Sequence, residues 1–479
     1  MSRINTNVTS LIAQRVLKKN NESLNTSLER LSTGLKINRG SDNPAGLIAS
    51  EILRGEKKGI QTAIDNAGRA SNVIGTAEGG LTEVSSLLTE LQSLVSQSAN
   101  SAGLSPEETA ANQLQVDSIL GTINRISDST QFGGTKLLNG SLDYTLSGGG
   151  TSAFGSIQVN SSQLPAGATQ SVTVTVTNSA TQGRVSFTGS GLTASGTTLE
   201  IAGATGTQQL SFAGSASISD IATAINAITS ITGVTASASG NVLSFGAEQY
   251  GSSNFVSVRS VAGQSLSIAG GTSGKAYGTD AVVNVNGAAA TVNGLDVTYR
   301  SAALDIEFQL TSTGYNGLTA AGLNNGQTTT FGITGGGATF SLGSKVTENG
   351  KANIGIKSVS TSSLGNGVVG YLNSLGSGGA NSLTSADLSS AQKIIDSSIK
   401  QVSQLRGRLG AFQKYTIGST VNALGVAYEN ASAAESAIRD TDFADETASL
   451  TRSQILSQSA TQILSTANSS PQAALSLLR

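Results

Sequence analysis

The chain has 479 residues, enough for more than one domain, and its 28 Lys and Arg against 30 Asp and Glu leave a net charge of -2. That balance excludes a long-range field that would gather nucleic acid or an anionic membrane surface. Cys, His and Trp are absent, which removes disulfides, thiolate and imidazole metal sites and every Ser-His-Asp or Cys-His nucleophile; no catalytic centre, metal or cofactor is expected.

Residues 6 to 37 place Leu24, Leu28, Leu31 and Leu35 at spacings of 4, 3 and 4, the single apolar stripe of a helical arm. The next helix is signalled by Asp42-Asn-Pro-Ala45, where Asn43 suits the cap and Pro44 the first helical position. From Ile60 the small and apolar positions Ala63, Ala67, Ala70, Ile74, Ala77, Leu81, Val84, Leu88, Leu91 and Val95 step 3 and 4 without a break. This is a coiled-coil seam, and at about 1.5 Å per residue it predicts a rod on the order of 50 Å long. Ser105-Pro-Glu-Glu108 begins a further helix with a Ser105/Glu108 capping box and an apolar face through Val116, Leu120 and Ile123. That helix is expected to fold back on the rod.

The middle of the chain is a different material: residues 141 to 350 hold 14 charged residues, and the two flanks hold 44. It is rich in Gly, Ser and Thr, and runs such as Val172-Thr-Val-Thr-Val176 and Leu304-Asp-Ile-Glu-Phe-Gln-Leu310 alternate as half-buried strands do. Asn286-Gly287 between Val282-Val-Asn-Val285 and residues 288 to 292 suits a two-residue hairpin of positive φ. One short helix is expected, capped by Ser219, with Ile221, Ala224, Ile225 and Ile228 on its apolar face. Asp305 and Glu307 share one strand face, but Leu304, Ile306, Phe308 and Leu310 on the other make this an amphipathic strand and not a catalytic pair. Gly148-Gly-Gly150 and Gly335-Gly-Gly337 lack the Lys of a phosphate loop. The clustered Lys18, Lys19, Lys57 and Lys58 stand beside Glu22, Glu51 and Glu56, the mixed pattern of a solvated helix face.

Thr384 and Asp387 mark the start of a third rod, with Ile395, Val402, Leu405, Leu409, Phe412, Ala423, Val426, Ala433 and Ala437 on one seven-residue frame. Thr416, Ser419 and Asn430 are its polar members, which favour register over burial. The first and third rods are natural partners across more than 300 residues of chain. Last comes a second one-stripe arm, Leu456, Ala460, Ile463 and Ala467. A helix with one apolar face recovers too little area alone to offset roughly 1 to 2 kcal/mol of backbone entropy per residue. The arms are therefore expected to be mobile in the monomer and to order when many copies bring their stripes together.

These residues resemble a known family. Leu31-Ser-Thr-Gly-Leu-Lys-Ile-Asn38, Asp42-Asn-Pro-Ala-Gly-Leu47, Gln97-Ser-Ala-Asn100 and Gln131-Phe-Gly-Gly-Thr-Lys-Leu-Leu138 resemble the N-terminal part of bacterial flagellin. Ile438-Arg-Asp-Thr-Asp-Phe-Ala444, Thr451-Arg-Ser-Gln-Ile-Leu456 and the ending Leu475-Ser-Leu-Leu-Arg479 resemble its C-terminal part. Residues 219 to 245 look like the flagellin hook IN motif.

The resemblance implies a mainly α, multidomain chain whose coiled-coil ends pack together as a helical bundle, with an inserted β-rich, solvent-facing outer region. The implied division is an arm over 1–43, a spoke-like helical part over 44–140, outer domains over 141–360 with the IN-like motif near 219–262, a second helical part over 361–440, and a second arm over 441–479. It implies a homopolymer, an extracellular flagellar filament used for swimming, assembled by the terminal helices. A flagellar type III export route, an export chaperone, a filament cap and hook-filament junction proteins come with it, without nucleic acid or membrane insertion. In the family the segment matching residues 88 to 100 can be recognised by Toll-like receptor 5. Here Thr89, Glu90, Gln92 and Ser93 depart from the recognised pattern, and a carboxylate at Glu90 repels a partner built for a basic residue. A hook-filament junction protein of the same family, and an adhesin carried by the central region, are the alternative readings.

Overall fold

A computed structural model describes residues 6–100, 103–148, 154–164, 168–189, 196–263, 266–301, 303–311, 325–367, 369–384 and 388–476, with side chains as far as Ser469. Asp387, Gly149, Gly150 and residues 477–479 of the terminal motif lie outside the described residues. Its helices are α1 (Val8–Thr33), α2 (Pro44–Ser98), α3 (Pro106–Ser129), α4 (Ile218–Asn226), α5 (Thr229–Thr232), α6 (Ser389–Ala411), α7 (Gly418–Arg439) and α8 (Phe443–Ser476). Mainly helical ends thus flank a β-rich centre. The chain forms two compact units, Met1–Arg69 with Ser341–Gly350 and Lys414–Arg479, and Ala70–Phe340 with Lys351–Gln413.

In the first unit α1 starts at Asn7, whose side-chain oxygen accepts the Ser10 N–H at 3.1 Å, and stops at Gly34, where a φ of 73° ends the helix left-handed. Beyond that stop the chain is clasped to its distant end: Lys36 donates its N–H to the Arg439 carbonyl at 2.7 Å, and Thr441 donates to the Gly34 carbonyl at 3.0 Å. Asn43 caps α2 as expected, its side-chain oxygen accepting the Gly46 N–H at 2.9 Å. Ion pairs tie the early turns of α2 to α7: Lys57 to Glu435 at 2.6 Å and Arg439 to Glu51 at 3.1 Å.

In the second unit the rest of α2 packs with α3 and α6. Ser105 and Glu108 form the expected capping box at the start of α3. Gln413 donates to Ser71 at 2.7 Å, and Gln92 to Asp396, 304 residues away, at 3.2 Å. Helix α6 begins at Ser389, and its N-cap, Leu388, makes no side-chain cap bond. Thr384, expected at the helix start, instead bonds Ser382 at 3.0 Å.

The seven-residue frame of the third rod does not run through. A π-helical turn, Phe412–Ile417, follows α6. Such a turn inserts an extra residue and rotates the following face by about 100°. From its last residue on, Ile417 and Ala431 are buried, while Ala423, Val426, Ala433 and Ala437 of the expected frame are exposed. A period counted straight through cannot anticipate that insertion.

The β-rich centre has two hydrophobic cores. In the first, a five-stranded sheet including Gln170–Asn178, Val282–Val285 and Thr328–Gly336 faces a four-stranded sheet of Phe154–Ser162, Thr291–Asn293, Asp296–Arg300 and Leu304–Leu310. Phe154 joins the sheets edge-on, its ring 5.0 Å from that of Phe308 and 5.8 Å from that of Phe331. The Asn286–Gly287 hairpin forms as read, with φ values of 51° and 83° and Val285 paired to Ala288. Asp305 and Glu307 both pair with Arg300, at 3.6 and 3.2 Å, while Leu304, Ile306, Phe308 and Leu310 are buried.

The second core is inserted in the first, between Asn178 and Val282. Two four-stranded sheets enclose it together with α4. The cap of α4 is Ser217 and not Ser219: Ser217 accepts the Asp220 N–H at 3.2 Å and its own N–H donates to the Asp220 carboxylate at 3.2 Å. Only the earlier serine has an acidic residue three positions on to close the box, so Ile218, Ile221, Ala222 and Ile225 form the buried face.

Candidate assembly surface

The two arms pair antiparallel within the first unit. Asn7 donates to the Ala467 carbonyl at 2.8 Å and Ser10 to Asn468 at 2.7 Å at one end; Arg30 meets Glu446 at 3.5 Å at the other. Their shared seam is mixed: Ser10, Ala13 and Ser27 of α1 and Ala460 of α8 are buried, and Leu17, Leu24 and Leu31 stand half-buried on the same stripe of α1. Small residues let two helices approach closely, and they also leave little apolar area for that contact to remove from water.

The exposed large apolar residues lie elsewhere. Val8, Leu11, Ile12, Val16 and Leu28 of α1 are exposed, as are Phe443, Ile455, Leu456 and Ile463 of α8, with Leu11 at 57% and Ile463 at 60%. Leu24, Leu31 and Leu35 are half-buried, and Ala467 likewise. Of the eight arm positions singled out in the sequence, only Ala460 is fully buried. The exposed stripe at the start of α1 carries a signal of the same kind as the leucine row that follows it: Val8, Leu11, Ile12 and Val16 fall at offsets of 0, 3, 4 and 8, the spacing of one helix face.

The rod positions differ from the arms. Ile60, Ile74, Leu81, Val84, Leu88, Leu91 and Val95 are all buried, and so are Val402, Leu405 and Leu409; Phe412 is half-buried beside Phe340, ring centres 6.0 Å apart. Their seams are satisfied within the chain, whereas those of the arms are not. Thr89, Glu90 and Ser93 are exposed on α2, and Gln92 is half-buried through its bond to Asp396.

Several charges of the arm-bearing unit pair across it. Glu435 receives Lys57 and Arg54, and the hydrogen bond from Lys57 raises that ammonium's pKa. No helix among the described residues is long and apolar enough to cross a membrane.

Comparison with known proteins finds matches to the bacterial flagellin N-terminal helical region over residues 4–143, the bacterial flagellin C-terminal helical region over 392–478 and the flagellin hook IN motif over 198–247. B-type flagellin of Pseudomonas aeruginosa is 32% identical over 99% of both chains. Flagellin B of Vibrio cholerae is 29% identical, again over 99% of both. Among solved structures, FliC from Burkholderia pseudomallei is 15% identical, covering 72% of this chain and 99% of its own, with a TM-score of 0.23.

Proposed function

The chain belongs to the bacterial flagellin family, a structural and non-enzymatic subunit of the extracellular flagellar filament, and from that premise we propose that its polymerisation runs through the paired arms α1 and α8. The observation that carries this is the incomplete burial of the arms: the fully buried seam positions are small residues, the seam leucines are only half-buried, and a further row of large apolar residues is exposed. Each half-exposed Leu, Ile, Val or Phe leaves about 1 kcal/mol of burial unrealised, and copies of the same arms supply apolar stripes to cover it. The division read from the sequence fits this role: arms over 1–43 and 441–479 build the inner tube, helical parts over 44–140 and 361–440 its wall, and the region 141–360 faces solvent.

Export as an unfolded chain, an export chaperone on the C-terminal arm, a filament cap and hook-filament junction proteins complete the reading as partners. The chain's lack of Cys suits such a route, since no disulfide forms early. Polymerisation of a chain lacking residues 1–34 and 443–479 tests the central claim. Seeded with filament fragments and followed by sedimentation and electron microscopy, it is expected to stay monomeric while the full chain elongates. Ordinary filaments from the shortened chain end the proposal.

A further inference from the structure

Within the second unit a cavity of about 390 Å³ lies between α6 and the four-stranded sheet of the first β-core. This volume falls in the range of small-ligand sites, about 300 to 1,000 Å³. The wall is polar: apart from Val297 and Phe308, which belong to the core beneath, every lining residue carries an amide, a hydroxyl, a carboxylate or an ammonium. An apolar guest would gain nothing there.

The charges facing the cavity are unequal in availability. Both carboxylates are hydrogen-bonded: Glu307 to Arg300 at 3.2 Å, which offsets its charge, and Asp296 as acceptor from the neutral Gln309 amide at 2.9 Å, which does not. The two ammonium groups, Lys357 and Lys400, have no hydrogen-bond or ion-pair partner among the described residues. Lys400 is exposed and Lys357 half-buried, so one stands nearer solvent and the other is more enclosed. Burial lowers the pKa of Lys357, with Asp143 opposing that shift and Arg408 adding to it. Asp143 makes no ion pair with Lys357 among the described residues, and burial pushes its carboxyl above the usual range. Arg408, two turns beyond Lys400 on α6, lies outside the lining: it contacts Asn160 and the Gly355 carbonyl, and burial lowers its pKa while Glu307, Asp305 and Asp143 oppose that shift. The lining charges balance, two lysines against two carboxylates, and the two ammonium groups are the ones without a bonded partner among the described residues.

We propose that this cavity binds a small hydroxylated carboxylate of the hexuronic acid type, its carboxylate held by Lys357 and Lys400 and its hydroxyls by the surrounding amides and hydroxyls. Lysine meets a carboxylate as a point charge, and an ammonium without a bonded partner in a partly enclosed site gains most from one. Ser397, Gln404, Thr291 and Asn293 offer both donors and acceptors, which suits alcohols and leaves them idle against a bare anion.

Titration calorimetry on the full-length monomer tests this with galacturonate, galactose and inorganic phosphate as probes. Saturable binding of galacturonate is expected, with galactose and phosphate each weaker by about tenfold, the ratio that about 1.4 kcal/mol of lost interaction gives. Lys357→Met keeps the aliphatic stem and is expected to weaken galacturonate by about tenfold or more. Lys400→Met, at an exposed position that folding does not need, is expected to weaken it severalfold with an unchanged thermal melt. No saturable galacturonate binding, equal affinity for galactose or phosphate, or wild-type affinity in Lys400→Met overturns the proposal.

Discussion

Asp280 clasps the place where the second β-core leaves the first. Its carboxylate accepts the Ser252 N–H at 3.0 Å, the Ser252 hydroxyl, and the Gly294 N–H at 2.7 Å. Backbone approaches so closely here that a Cβ on Gly251, already at a φ of 109°, would lie 2.7 Å from the Gly294 Cα, which is why glycine stands there. The Ser252 hydroxyl first, and then the Gly294 N–H, hold the Asp280 carboxyl below the usual carboxylate range. A depressed pKa contributes stability above the unfolded value, and that contribution is lost as pH falls through the folded one. Asp280→Asn is therefore expected to lower stability near neutral pH by about 1 kcal/mol, the scale of a lost charge-assisted hydrogen bond near solvent. It is also expected to flatten the fall in stability that the parent chain shows below about pH 4. Urea titrations from pH 2 to pH 7 measure both; parallel pH profiles for the two chains would remove the clasp from the account.

Two cores that share no buried residue behave as separate elements even though one is inserted in the other. Phe331 fills the first and Phe245 the second, each almost wholly buried. Truncation of either to Ala is expected to cost about 3 to 5 kcal/mol. The loss should be local: Phe245→Ala speeds amide exchange in strands such as Val234–Ser239 and Val242–Ala247, and leaves Gln170–Asn178 and Leu304–Leu310 protected. Equal loosening of both sets of strands would show one cooperative core instead. The sequence carried the strands here because alternation exposes one face of each, as at Val172, Val174 and Val176, and it carried the hairpin because Asn286-Gly287 tolerates positive φ twice. What it did not carry were features set by a single inserted or displaced residue. The choice of Ser217 over Ser219 depends on which serine has Asp220 three positions on, and the π-helical turn Phe412–Ile417 shifts a face that a constant period continues. Nor does periodicity report a cavity, since Lys357 and Lys400 come from separate segments that only the tertiary fold brings to one wall.

On the scale of the whole chain, the contrast between rods and arms is a contrast in what each can bury alone. The seam from Ala70 to Val95 is closed by residues of the same chain, so its helices are expected to persist in the monomer. Helix α1 buries only Ser10, Ala13 and Ser27 fully, which remove little apolar area, leaves Leu17, Leu24 and Leu31 half-buried, and keeps Val8, Leu11, Ile12 and Val16 in water. Ordering 26 residues of α1 opposes about 1 to 2 kcal/mol of backbone entropy for each, a cost that the hydrogen bonds to α8 offset only in part. Polymerisation changes that balance, because every added copy covers apolar stripes that the lone pair leaves bare. Amide exchange compared between monomer and filament reads this directly. In the monomer, residues 6 to 35 should exchange within the fastest class while residues 70 to 95 stay protected; in the filament both should be slow. Strong protection of residues 6 to 35 in the monomer would mean that α1 and α8 hold each other without help, and the exposed stripe would then need another reason to exist.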